Sequence, residues 1–241
     1  MVKDLDRHVV AYEGRTVYDF DNSILLNWYP RRILELARSR QSLLELGLGH
    51  GFTSRIFSKE IREHVVLEGS SAVIRNFHER HPGSGATILE TMFEEFETDR
   101  RYDVIVLGFV LEHVDDPVLI LKKYAGFLNE GGQMFVAVPN ALSMNRRLGH
   151  HAGFLDDMYT LSRNDLDLGH KRLYSQERLR AEMEEAGLVV ERVEGIYLKP
   201  FTTEQILSLD LDERVIDGLC RLGIDYPELC CGMLAEGRPR G

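Results

Sequence analysis

Apolar positions follow two rhythms along the chain. Residues 23–39, "SILLNWYPRRILELARS", carry them at helical spacing, with Pro30 placed to bend or restart the helix. Short continuous apolar runs then alternate with amphipathic ones. The runs predict strands over 42–47, 64–69, 86–91, 102–108 and 131–140, and helices over 52–61, 71–80 and 117–129. Ser175 as N-cap and Gly187 as stop mark a helix over 175–187. A strand follows at 188–198, a last one is expected within 228–238, and 200–227 reads as a helical, exposed accessory piece.

Apolar strands alternating with helices predict an α/β protein, a doubly wound, mostly parallel sheet covered on both faces. Such sheets bind ligands beyond the carboxyl ends of their strands. Residues 45–51, 68–70, 91–94, 108–113 and 139–147 are therefore the places to look. Residues 1–40 are expected to form a helical cap and 41–241 the main domain. Between 141 and 175 the periodicity disappears and His, Arg and Asp accumulate, the mark of a lid or binding insertion.

Composition narrows the classes. The formal net charge of −10 is opposed to a non-specific grip on nucleic acid. Three cysteines, Cys220, Cys230 and Cys231, give no disulfide framework. The first residues are too polar for a signal peptide, and the chain has no apolar run of 18 residues. A cytoplasmic protein is expected, with a small-molecule substrate, no nucleic acid, no membrane, and a homodimer left open.

The chemistry begins at "LLELGLGHGFTS", residues 43–54. Gly47, Gly49 and Gly51 follow a strand, but the third glycine comes one residue too early for a dinucleotide fingerprint, and no Walker Lys follows. Glu45 at the strand end would repel a pyrophosphate and suit a cationic ligand. Glu68 closes the second strand, 21 residues beyond Gly47, where a carboxylate can hold both ribose hydroxyls. After the third strand, Met92 and Phe93 can cover an adenine face or start a helix in the core.

These blocks, with "YDVIVLGFVLEHVDDP" (102–117) and "LNEGGQMFVAVPN" (128–140), resemble the class I S-adenosylmethionine-dependent methyltransferases, small-molecule branch. The resemblance implies a Rossmann-like seven-stranded sheet with a final antiparallel strand, and S-adenosylmethionine as cofactor. It implies that Gly47, Gly49 and Gly51 pass under the cofactor, Glu45 lies near its ammonium, directly or through water, Glu68 holds the ribose with Gly69 beside it at the cofactor, Met92 and Phe93 flank the adenine, and Gly108 and Phe109 offer a backbone carbonyl. It also implies that the region of Tyr18, Asn22, Tyr29 and Arg32 closes over the cofactor, with Tyr18 or Arg32 meeting its carboxylate. The motif of nucleic-acid amino-methylating relatives is absent after the fourth strand.

Methyl transfer needs alignment, exclusion of water and, for a hydroxyl acceptor, a base. His113 in "LEHVDDP" and His170 in "LGHKRLYS" are the candidates. The second segment is similar to the matching part of ubiquinone-biosynthesis-type O-methyltransferases, which favours a hydroxyl acceptor. Arg146, Arg147, Lys171, Arg172 and Tyr174 are read as an anionic-substrate pocket, or as a solvated lid paired to nearby aspartates. A metal site from His150, His151 and His170 matches no ligand spacing, and no metal is expected. An N-methyltransferase of an amine or amino sugar, a non-catalytic S-adenosylmethionine-binding subunit and a nicotinamide dehydrogenase are the alternatives.

Overall fold

The computed structural model describes residues 19–240. Along the chain these form α1 (Asp19–Leu36), β1 (Ser42–Leu46), α2 (Phe52–Glu60), β2 (Glu63–Glu68), α3 (Ser71–Arg80), β3 (Thr87–Glu90), β4 (Tyr102–Gly108), α4 (Pro117–Ala125), β5 (Leu128–Pro139), α5 (Met144–His151), α6 (Arg163–Asp167), α7 (Gln176–Glu185), β6 (Leu188–Ile196), α8 (Thr203–Ser208), α9 (Glu213–Gly223) and β7 (Gly232–Pro239). One seven-stranded sheet runs in the order β3-β2-β1-β4-β5-β7-β6. The pairings from β3 through to β5 are parallel, and β7 is antiparallel to both β5 and β6. The strand order reverses between β1 and β4, which opens a crevice at their carboxyl ends.

Alternation along the strands divides the core. Leu43, Val104, Val106, Phe135 and Leu234 face one layer with Tyr29 and Ile33 of α1 and Phe57 of α2. Leu44, Leu46, Ile105, Leu107 and Val136 face the other, with Ile120 and Tyr124 of α4 and Leu179 and Met183 of α7. Val66 packs with Val73 and Phe77 of α3.

Differences from the sequence reading lie at element ends. Pro30 neither ends nor restarts α1, which continues through it as one helix. The helix expected over 117–129 stops at Ala125, and Leu128 already opens β5 because it pairs with Tyr102. The accessory piece is not merely exposed: Ile206 and Cys220 are buried, and Gly223 packs against the Cys230 sulfur. The last strand begins only at Gly232, after a 3-10 turn at Pro227–Leu229. Among the described residues no helix is long and apolar enough to cross a membrane.

One contact locks α1 onto the crevice. Tyr29 is 2% exposed, and a Cβ built on Gly108 would overlap its hydroxyl. Gly108→Ala is therefore expected to cost about 1–3 kcal/mol by overpacking, read from urea unfolding. Adding Tyr29→Phe should recover part of that loss; a wild-type midpoint for Gly108→Ala would show that α1 is not seated this way.

Candidate functional site

A cavity of about 420 Å³ sits over the carboxyl ends of β1, β2, β4 and β5. Its size is in the range of small-molecule sites, roughly 300–1,000 Å³. The turn after β1 forms its floor. Gly47, Gly49 and Gly51 have φ of 82°, 47° and 76°, a left-handed path that side chains resist. At Gly51 a Cβ would also lie 2.6 Å from the Phe77 ring, so the turn both bends and packs closely.

Glu68 closes β2 at the cavity wall. Its Oε2 accepts from the Leu48 N–H at 3.0 Å and its Oε1 from the Ser70 N–H at 2.8 Å. Burial raises its pKa above the usual carboxylate value, against the pull of these backbone donors. Gly69, Met92, Phe93, Gly108 and Phe109 share the cavity, and Tyr29 and Asn22 of α1 cover it. Met92 and Phe93 lie in a turn rather than a helix, with the Met92 carbonyl accepting from Glu95 and Phe96. Phe109 has φ 57°, strained backbone of about 1–3 kcal/mol at the end of β4. His50, unassigned from sequence, also lines the cavity beside Phe52.

Several expected site residues are elsewhere. Glu45 does not reach the cavity. It is 1% exposed and accepts from Thr53 Oγ1 and from Ser54 Oγ at 2.8 Å, with His64 Nε2 at 2.9 Å, so three partners hold it beneath the turn. Arg32 points to the sheet edge, where Nε and Nη2 fork onto Glu194 at 2.7 and 3.0 Å. Those hydrogen bonds raise its pKa despite partial burial. Tyr18 lies outside the described residues.

The basic set is also redistributed. Arg147 Nε donates to the Leu142 carbonyl at 2.6 Å, and Lys171 pairs with Asp115. Arg172 donates to the carbonyls of Leu111, Val114 and Asp115, and the buried Tyr174 hydroxyl to that of Leu111. These four side chains do not line the cavity; they cap carbonyls and a carboxylate that the loops leave unpaired. Arg146 does line it, with its guanidinium bonded to the carbonyls of Met158 and Thr160 and its pKa lowered by burial.

Stitching 170–174 to the loop after β4 brings the two candidate histidines together. The His113 and His170 rings lie 4.8 Å apart, centre to centre, and both line the cavity. Asp165, in a capping box with Ser162, meets His170 Nδ1 at 3.1 Å. Burial works against the His170 proton, but the bond to Asp165 and the charges of Glu112 and Asp165 outweigh it and raise its pKa. Glu112, fully buried, is raised to about 7 by desolvation. Sequence reasoning gives Glu112 no role and takes Asp165 only as one of the aspartates that can pair with the basic residues of the lid. The first adjoins His113 in "LEH", and the second is hidden among other aspartates. His150 and His151, at the end of α5, stand off the cavity.

Residues 25–193 match the family described as a methyltransferase domain. The chain belongs to this methyltransferase family. It is similar to ubiquinone biosynthesis O-methyltransferase from Parvibaculum lavamentivorans, 30% identical over 70% of this chain and 67% of that protein. The Aeromonas salmonicida protein of the same name is 26% identical over 79% and 80% of the two chains. Among solved structures, an S-adenosylmethionine-dependent methyltransferase from Mesorhizobium loti matches with TM-score 0.62 and 17% identity over 88% of this chain and 97% of that one. The N-methyltransferase NodS from Bradyrhizobium japonicum matches with TM-score 0.61 and 13% identity over 98% of each. These two likenesses show the fold.

The protein is a class I S-adenosylmethionine-dependent methyltransferase, and the cavity suits that cofactor. It offers a glycine turn a chain can approach closely, a half-buried carboxylate at β2 already oriented by two N–H groups, and an apolar strip at Met92 and Phe93.

A carboxylate holding two hydroxyls must be ionised, and burial raises the Glu68 pKa. S-adenosylhomocysteine affinity should therefore fall as pH drops through that raised pKa. Glu68→Gln should weaken binding by about 2–4 kcal/mol and remove the pH dependence. Calorimetry from pH 8 downwards checks both; unchanged affinity in the variant would remove Glu68 from the ribose end.

Proposed function

We propose that this methyltransferase methylates a hydroxyl oxygen of a small anionic metabolite. When bound, S-adenosylmethionine supplies a methyl group already activated on a positively charged sulfur. The chain's own residues then align the acceptor, exclude water and take the hydroxyl proton.

The observation that carries this reading is the meeting of Glu112, His113 and His170 on the cavity wall beyond Phe109. An oxygen acceptor sheds a proton that must go to a nearby base. Asp165 orients His170 and stabilises its charged form, as a carboxylate behind a catalytic imidazole does. His113 stands against it as the second proton-accepting group. Arg146, the member of the basic set on the cavity, is the cation for an acceptor carboxylate or phosphate. Residues 141–175 act as the lid, since Ser143, Asn145, Arg146, Ser162 and Asp165 all contribute to the wall. The curated relatives' names, which specify O-methyltransferases, support an oxygen acceptor.

The test is a panel of hydroxylated aromatic acids and of amines, each incubated with the enzyme and S-adenosylmethionine, with S-adenosylhomocysteine release measured. Turnover of hydroxyl compounds is expected. His170→Ala should lower that turnover about 10²–10⁴-fold while still binding S-adenosylhomocysteine. Methylation of amines alone would overturn the reading in favour of an N-methyltransferase.

A further inference from the structure

S-adenosylmethionine ends in an amino acid, with an ammonium and a carboxylate on one carbon. The residues expected at that end do not serve it. Glu45 is held beneath the glycine turn by Thr53, Ser54 and His64, Arg32 is forked onto Glu194, and Tyr18 lies outside the described residues. A zwitterion still needs an anionic acceptor and a cationic donor on the cavity wall.

Asp21 and Lys199 offer both. Each lines the cavity, and they are 7% and 6% exposed. Lys199 Nζ donates to Asp21 Oδ2 at 2.6 Å and to Thr203 Oγ1 at 3.0 Å, and the Thr203 hydroxyl donates to the same Asp21 oxygen. An ammonium has three N–H donors, so one remains on Lys199. Asp21 Oδ1 is buried and accepts no hydrogen bond among the described residues. A buried carboxylate oxygen without a donor is costly and calls for a partner. The terminal torsion of an aspartate is soft, so a small turn presents either oxygen to a ligand. The two charges already neutralise each other, and a zwitterion adds no net charge to so dry a place.

The fold sets this pair at the end of the cavity remote from the adenine candidates. Asp21, Leu25 and Tyr29 are four residues apart on α1, so they share one face of the helix, and all three line the cavity. Tyr29 sits against Gly108 at the end of β4, and Asp21 lies about 12 Å further along the helix at 1.5 Å per residue. Lys199 follows β6, beyond Tyr197, which is fully buried with φ 60° and whose carbonyl accepts from the Cys231 N–H. Glu68 and Met92 stand on the other side of β1, at the end of β2 and after β3. We infer that Asp21 and Lys199 bind the amino acid end of the cofactor. Asp21 Oδ1 accepts from its ammonium, and the remaining Lys199 N–H donates to its carboxylate. Thr203, which does not line the cavity, holds the pair together from behind. The contact is to the cofactor, so it holds whichever acceptor is methylated. No spacing rule joins the two residues, which are 178 positions apart.

The experiment is calorimetry on the full chain with two ligands. One is S-adenosylhomocysteine; the other is 5′-methylthioadenosine, which keeps the nucleoside and the sulfur but has no amino acid. Lys199→Met and Asp21→Asn should each weaken S-adenosylhomocysteine binding about 10–100-fold, the loss of one charge-assisted hydrogen bond, and leave methylthioadenosine within about 2-fold of wild type. Each single variant leaves a buried charge unpaired. The double variant Asp21→Asn/Lys199→Met leaves none and keeps the test standing if a single one does not fold, and a urea midpoint reports the fold of all three. An equal loss for both ligands would show that the pair seats α1 without touching the amino acid. That result overturns the inference. So does wild-type S-adenosylhomocysteine affinity in a folded variant, or methylthioadenosine binding to the wild type as tightly as S-adenosylhomocysteine.

Discussion

A carboxylate in the middle of a sheet has to be satisfied, and Glu45 shows how much follows from that. It sits on β1, between β2 and β4, fully removed from water. Thr53 and Ser54 reach it from the first turn of α2, and His64 from β2. The start of α2 is thereby tied to the end of β1, and the five residues between them have little choice of path. That path needs left-handed backbone at Gly47, Gly49 and Gly51. The cofactor floor is thus a by-product of satisfying one buried charge. Losing one partner of such a group commonly costs several kcal/mol, because the acid remains buried.

The opposite end of the cavity is assembled by a second device. The loop after β4 leaves the sheet and would strand the carbonyls of Leu111, Val114 and Asp115. Arg172 meets all three. The Lys171 N–H donates to the Glu112 carbonyl at 2.8 Å, and Tyr174 bridges to Asn140 beside β5. Residues far apart in sequence become neighbours through these bonds, and the histidines meet as a result. One end of the cavity is therefore set by a local turn, the other by long-range capping.

That contrast explains what was legible in the sequence. The strands, α2, α3 and α7 follow directly from apolar runs and caps, and the position of Glu68 on the cavity wall follows from its place at the end of the strand beside the glycine turn. Local rules suffice wherever ligand and motif lie on one strand–turn–helix unit. They misplace Glu45 because a carboxylate at a strand end looks the same whether it faces a ligand or three hydroxyl and imidazole donors. They misplace Arg32 because its partner, Glu194, is on a strand that pairs only at the far side of the sheet. Asp165 and Glu112 gain meaning only from the packing of 141–175 on the loop after β4.

The basic residues carry a more general lesson about charge runs. In a chain with net charge −10, a concentration of arginine and lysine invites an anion-binding reading. Yet irregular segments expose carbonyls that no strand or helix pairs, and a guanidinium with five N–H donors is the side chain best fitted to cap several at once. Between 141 and 175 regular structure is limited to two short helices, so the number of such carbonyls is high. Arg146, Arg147 and Arg172 each bond to backbone oxygen there or in the loop it covers. Only Arg146 does so from a position on the cavity, which makes it the one member of the set that can serve the fold and meet an acceptor at the same time.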